Sequence, residues 1–144
     1  MTMANPYTVY RQHNSSQATR IDLILAAYNE AVAQLEHACD ILRYDVPSRA
    51  APQLLRAQQL VYALAVSVDL QQGDVGKNLL RLYDFVLYRL GLGDLLSVES
   101  TVRVLRTLRE GFLAIRPDAL KMEHLGVIPP LPPATALRLM DKQV

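Results

Sequence analysis

The side chains able to do chemistry are few in this sequence, and their spacing works against it. There is one cysteine, Cys39, and three histidines, His13, His37 and His124. A reactive thiol needs a neighbouring base or cation to hold it as thiolate. Cys39 instead falls on an apolar helical repeat, where a small buried thiol is at home. The histidines are scattered, and none forms an i, i+4 pair with an acidic third ligand as zinc would need. Asp22, Glu30, Glu36 and Asp40 share one stretch of predicted helix but lack the Glu-x-x-His pattern of a di-metal bundle site, so they read as a solvated side. The run "GDVGKN" has glycines and a lysine, yet it lacks the gap, the following hydroxyl residue and the preceding strand of a phosphate loop. No catalytic residue, metal or cofactor is expected, and no enzyme. What remains is aromatic. "NPYTVYRQHN" sets Tyr7 and Tyr10 behind Asn5-Pro6, a pair suited to capping and opening a short helix on which both rings share a face.

The elements that would position such residues are helices. Ile21, Leu25, Tyr28, Val32, Leu35, Cys39 and Leu42 alternate steps of four and three, an unbroken heptad seam that predicts a helix over about 19–44. Ala27, Ala31 and Ala38 lie beside the seam and admit a close neighbour. "DVPSRAAP" breaks the pattern, and a second helix is predicted over about 52–70, with Leu54, Ala57, Val61, Leu64 and Val68 inward. Asp74 is expected to cap a third helix that runs to about Leu90 and stops at Gly91, with Leu79, Tyr83, Val86 and Leu90 inward. A fourth, over about 97–115, turns Val98, Val102, Leu105, Leu108, Phe112 and Ile115 to the core and leaves Arg103, Arg106 and Arg109 on a solvated face. No run has the period of a strand. The expectation is an all-α fold, an antiparallel four-helix bundle over 19–115, preceded by an N-terminal arm, 1–18. A proline-rich tail, 116–144, follows; it cannot be one continuous helix, and "PATALRLMDK" has room for a short terminal helix packed back on the bundle. "IPPLPP" reads first as a spacer.

Composition fits one globular domain. The 144 residues are 51% apolar and 20% charged, and 15 basic against 14 acidic side chains leave a net charge of +1. Nucleic-acid or membrane-surface binding would want a basic excess. One cysteine excludes a disulfide framework and suits a reducing compartment. No apolar run is long enough for stable membrane insertion, and "MTMANPYTVYRQ" lacks a signal-peptide layout, so a cytoplasmic location is expected.

A bundle helix needs one apolar stripe, and the second and third helices have more. Leu55, Tyr62 and Val66 form an extra row on one. Phe85, Tyr88 and Leu92, in line with Arg81, form another. Such a surplus can serve a groove for a partner's helices, a seat for the chain's own tail or arm, or a homodimer interface.

Several motifs then fall together in order: "NPYTVY", "LILAAYNEAV", "GDVGKNLLRLYDFVLYRL" and "LREGFLAI". Across about 5–115 the chain resembles the flagellar secretion chaperone family FliS. Its most specific part is Asn78-Leu79 and Leu82-Tyr83-Asp84-Phe85, coupled to Asn5, Pro6, Tyr7 and Tyr10. The resemblance implies a non-catalytic cytosolic helical bundle that binds the C-terminal segment of flagellin. It would keep flagellin unpolymerised and aid its delivery to the flagellar type III export machinery, export gate components included. It also implies an arm that covers part of the apolar surface, and matching positions at Asn5, Pro6, Tyr7, Tyr10, Asn78, Tyr83 and Phe85. Leu55, Tyr62, Val66 and Tyr88 would add apolar contacts, and Asn78 a directional hydrogen bond. The departures are Ala27, Asn29 and Glu30, where the family usually reads leucine before the tyrosine and Asp-Gly after it, and Phe112, where many relatives place tryptophan. The rival expectation is a homo-oligomeric scaffold or adaptor.

Overall fold

A computed structural model describes residues 18–69 and 73–129. Within them lie four α-helices, α1 (Arg20–Tyr44), α2 (Ala51–Val66), α3 (Asp74–Leu92) and α4 (Leu95–His124), with a 3-10 turn at Pro47–Ala50. The arm, 1–17, and the tail from Pro130 lie outside the described residues. Successive helices pack side by side and α4 returns to α1, so α1 and α3 sit on opposite corners, and their Cα atoms nowhere come within 8 Å. The fold is the all-α antiparallel bundle that the sequence predicts.

Local chemistry explains the boundaries. Thr19 caps α1, its hydroxyl accepting from the Asp22 amide at 3.3 Å. Pro47 opens the 3-10 turn, and Pro52 stands in the first turn of α2, where its missing N–H is not needed. Helix α2 stops at Val66, short of the predicted Leu70. There the Ser67 hydroxyl donates to the Leu64 carbonyl, and the Arg20 guanidinium takes the carbonyl of Ser67, so the end is satisfied without another turn. Asp74 is the first residue of α3, behind Gly73, rather than its cap. Its stop is Gly93 in the left-handed conformation, not Gly91. A side chain at Gly76 would meet the Asp69 carbonyl at 2.8 Å, so glycine here lets α3 start close against the end of α2.

The fourth helix corrects the expectation most. It begins at Leu95, capped by Asp94, whose carboxylate accepts from the Ser97 amide and hydroxyl. It then runs through Pro117 to His124 instead of ending near Ile115. A proline inside a helix forfeits one backbone bond. Two ties to the start of α1 hold the extension: Arg116 grips Asp22 at 2.7 and 3.1 Å, and the Glu123 carboxylate accepts the otherwise orphaned Arg20 amide.

Helix α1 is the centre of the core. Its seam from Ile21 to Cys39 is buried, and Ala27, Ala31 and Ala38 are fully enclosed beside it. The predicted inward stripes of the other helices meet it, although Ile115 is half exposed. Across the α1–α3 diagonal the hydroxyls of Tyr28 and Tyr83 hydrogen-bond at 2.6 Å in the interior. The Tyr28 ring also packs on Phe112 of α4, with centroids 5.4 Å apart. Burial pushes both phenols up, Tyr83 to about 12. The acidic residues of α1 do more than face solvent. Asp22, Glu30 and Glu36 pair with Arg116, Arg56 and Arg106 on the flanking helices. The departures in α1 fit this pattern, since Ala27 is enclosed, Asn29 accepts from Arg109, and Glu30 holds Arg56 through two bonds.

Candidate partner-binding face

The outer row of α2 lies in solvent: Leu55, Tyr62 and Val66 are 55%, 60% and 49% exposed. That of α3 does too, with Phe85 at 43% and Tyr88 at 68%. Asn78 and Arg81 are exposed on the same helix. Helical geometry explains why the core does not claim them: Phe85 and Tyr88 are each turned by about 100° or more from the buried Val86. The structure adds Val75 and Leu82, also exposed. Their signal was present in the sequence, since 75, 78, 82 and 85 repeat at steps of three and four. Large apolar side chains therefore follow the outside of α3 from its first turn to Leu92.

Tyr83 does not belong to that face. It is 2% exposed and points inward to Tyr28, because position 83 lies on the inner stripe with Val86 and Leu90. Its place is beneath the face, anchoring α3 to α1. Asn5, Pro6, Tyr7 and Tyr10 lie outside the described residues.

The face is apolar with a basic fringe. The Arg89 guanidinium stands 5.7 Å from the centre of the Phe85 ring, a cation–π distance that steadies the ring on the helix surface. Lys77, Arg81 and Arg89 accompany one acidic partner in the middle of the helix, Asp84. Such a surface can dock an amphipathic helix, with rings and aliphatic side chains as anchors.

Elsewhere the chemistry is structural. Cys39 is buried, and burial raises its thiol pKa, away from thiolate. Among the described residues no group of three or more His, Cys, Asp or Glu could hold a metal ion, and no helix is long and apolar enough to cross a membrane. The polar cleft between α1 and α4 is lined by paired charges, Arg43 with Glu99 and Arg106 with Glu36.

A helical bundle with a cross-braced core and exposed apolar rows on two helices has the surface of a partner-binding protein. Residues 3–119 match the sequence profile of the family described as Flagellar protein FliS. The chain is also similar to the flagellar secretion chaperone FliS of Bacillus subtilis (strain 168). The two are 27% identical over 90 residues, covering 62% of this chain and 67% of that one. The chain belongs to the FliS family.

Proposed function

We propose that this protein is a flagellar secretion chaperone that binds the C-terminal helical segment of flagellin, blocks premature polymerisation and aids delivery to the flagellar type III export apparatus. The observation that carries the reading is the outer row of α3, where Val75, Leu82, Phe85, Tyr88 and Leu92 stand exposed on one helix. The family membership and the name of the Bacillus subtilis relative support it. Segments that pack helix against helix inside a filament are adhesive when free, and a chaperone for them needs a long apolar surface rather than a compact pocket. Each large apolar side chain fully buried on docking contributes about 1.5–3 kcal/mol before ordering costs. Leu55, Tyr62 and Val66 extend the surface on α2, and Asn78 supplies a directional hydrogen bond. Asn5, Pro6, Tyr7 and Tyr10 form a displaceable cover. The protein acts in the cytoplasm, by binding and without catalysis, and hands its client to export gate components.

Light scattering of the full chain mixed with flagellin from the same organism tests this. A one-to-one complex that fails to form when the flagellin lacks its C-terminal segment is expected. An obligate homodimer that ignores flagellin, even after residues 1–12 are removed, would overturn the reading.

A further inference from the structure

The interhelical arginines of the bundle are answered by the chain itself. Arg43, Arg56, Arg106 and Arg116 each hold a carboxylate on a neighbouring helix. Arg81 and Arg89, both on α3, hold none among the described residues. Asp74 and Asp84, the acidic residues of α3, form no ion pair with either, and the sequence of α2 alongside contains no acidic residue. Beyond the end of α3, the Asp94 carboxylate is engaged by the amide and hydroxyl of Ser97. At Arg89 the lack reaches below the surface: the side chain is half-buried, and its Nε is enclosed with no hydrogen-bond partner.

Both residues stand within the apolar row rather than at its edge. By helical geometry Arg81 lies about 180° from the buried Leu90, at the outward pole of α3. Phe85 comes four residues after Arg81 and four before Arg89. The two therefore flank its ring, about 40° to either side, with their Cα atoms about 12 Å apart along the axis. The Arg89 guanidinium is already drawn over that ring, 5.7 Å from its centre. A helix laid on the exposed Phe85 and Tyr88 also takes water from both guanidiniums. A buried charge without a counter-charge is costly, whereas a guanidinium facing a carboxylate gains two parallel hydrogen bonds. The surface is complete only when its occupant supplies the carboxylates.

We propose that α3 reads an amphipathic helix carrying two acidic residues seven or eight positions apart, one on each side of its apolar anchor. That spacing is about two helical turns and matches the separation of Arg81 and Arg89. The anchor covers Phe85 and Tyr88, and the carboxylates meet the two guanidiniums. Apolar contact gives an affinity open to any amphipathic helix, and the arginines choose among such helices. The proposal rests on the flagellin reading above, because it takes the C-terminal segment of flagellin as that helix.

Calorimetric titration of the full chain with flagellin from the same organism tests both and separates them. Arg81→Gln with Arg89→Gln is expected to weaken binding at least about tenfold, with the melting temperature close to that of the parent. Parent affinity should fall between about 50 mM and about 500 mM salt, and the double variant should lose most of that dependence. Arg81→Glu should weaken binding in the same way, and one exchange of aspartate or glutamate for lysine in the flagellin segment should restore it. Arg81→Gln alone, on an exposed side chain, keeps the test open should a change at half-buried Arg89 disturb the fold. Unchanged affinity and salt dependence in the glutamine variants, beside weakened binding by Phe85→Ala, would overturn this proposal and leave the flagellin reading standing. A bound flagellin segment with no acidic pair at that spacing would do the same. Failure of the parent chain to bind flagellin at all would overturn both.

Discussion

Helices α1 and α3 occupy opposite corners of one bundle, and they bury their apolar residues very differently. Eleven of the 25 residues of α1 are buried, whereas α3 buries four of its 19. Both are flanked by α2 and α4. The difference lies in composition by face. The apolar residues of α1 gather on the side that its neighbours cover, while those of α3 continue round to a side that nothing among the described residues covers. Helix α1 is the element the fold is built around. Helix α3 is held from behind by Tyr83, Val86 and Leu90 and presents its remaining apolar residues outward.

The sharpest way to break the comparison is to truncate each helix where it should matter most and least. Leu35→Ala on α1, fully buried, should cost about 2–5 kcal/mol of unfolding free energy in a denaturant titration. Tyr88→Ala on α3 should stay within about 0.5 kcal/mol of the parent. Similar losses would mean that the outer row of α3 is core after all.

The link between the helices comes next. Tyr83→Phe strands the Tyr28 hydroxyl in the interior and should cost about 1–3 kcal/mol, with Tyr28→Phe added to it costing less than the sum of the single changes. The pair also sets an alkaline limit. Its folded pKa values lie above the unfolded value of about 10, so the neutral pair stabilises fully below that pH. Stability then falls as pH rises past it, because the unfolded chain releases protons that the folded chain keeps, by about 1.4 kcal/mol per pH unit for each tyrosine. Thermal melts should show this decline, and the Phe–Phe double variant should lack it.

The smallest effect on global stability is expected at the extension of α4. Arg116 and Asp22 form an exposed tie, and Arg116→Ala should speed amide exchange beyond Pro117 while the global melt barely moves. The Asp22 carboxyl is held below its usual range chiefly by the Arg116 guanidinium, so the tie acts above the ordinary carboxylate pKa and is lost as pH falls through the depressed one.

Much of this was legible in the sequence, and the failures have physical causes. The seam of α1 is readable because burial on one side imposes a period, and the outer rows of α2 and α3 are readable because they exceed what that period needs. Tyr83 belongs to both a motif and the inner stripe, and the stripe decides where it points. The course of α4 through Pro117 was not legible. It depends on contacts between Arg116 and Asp22, 94 positions apart, and between Glu123 and Arg20, 103 apart, and local propensity carries no trace of either. The early end of α2 has the same origin, since Arg20 of α1 satisfies the carbonyl of Ser67, the residue that caps it.

The central claim is that α3 is an interaction surface backed by core, and one variant tests it directly. Phe85→Ala with Tyr88→Ala should weaken calorimetric binding to flagellin at least tenfold, roughly 1.4 kcal/mol or more, while the melting temperature stays close to that of the parent. Unchanged affinity together with a clear loss of thermal stability would contradict the account and return both rings to the fold.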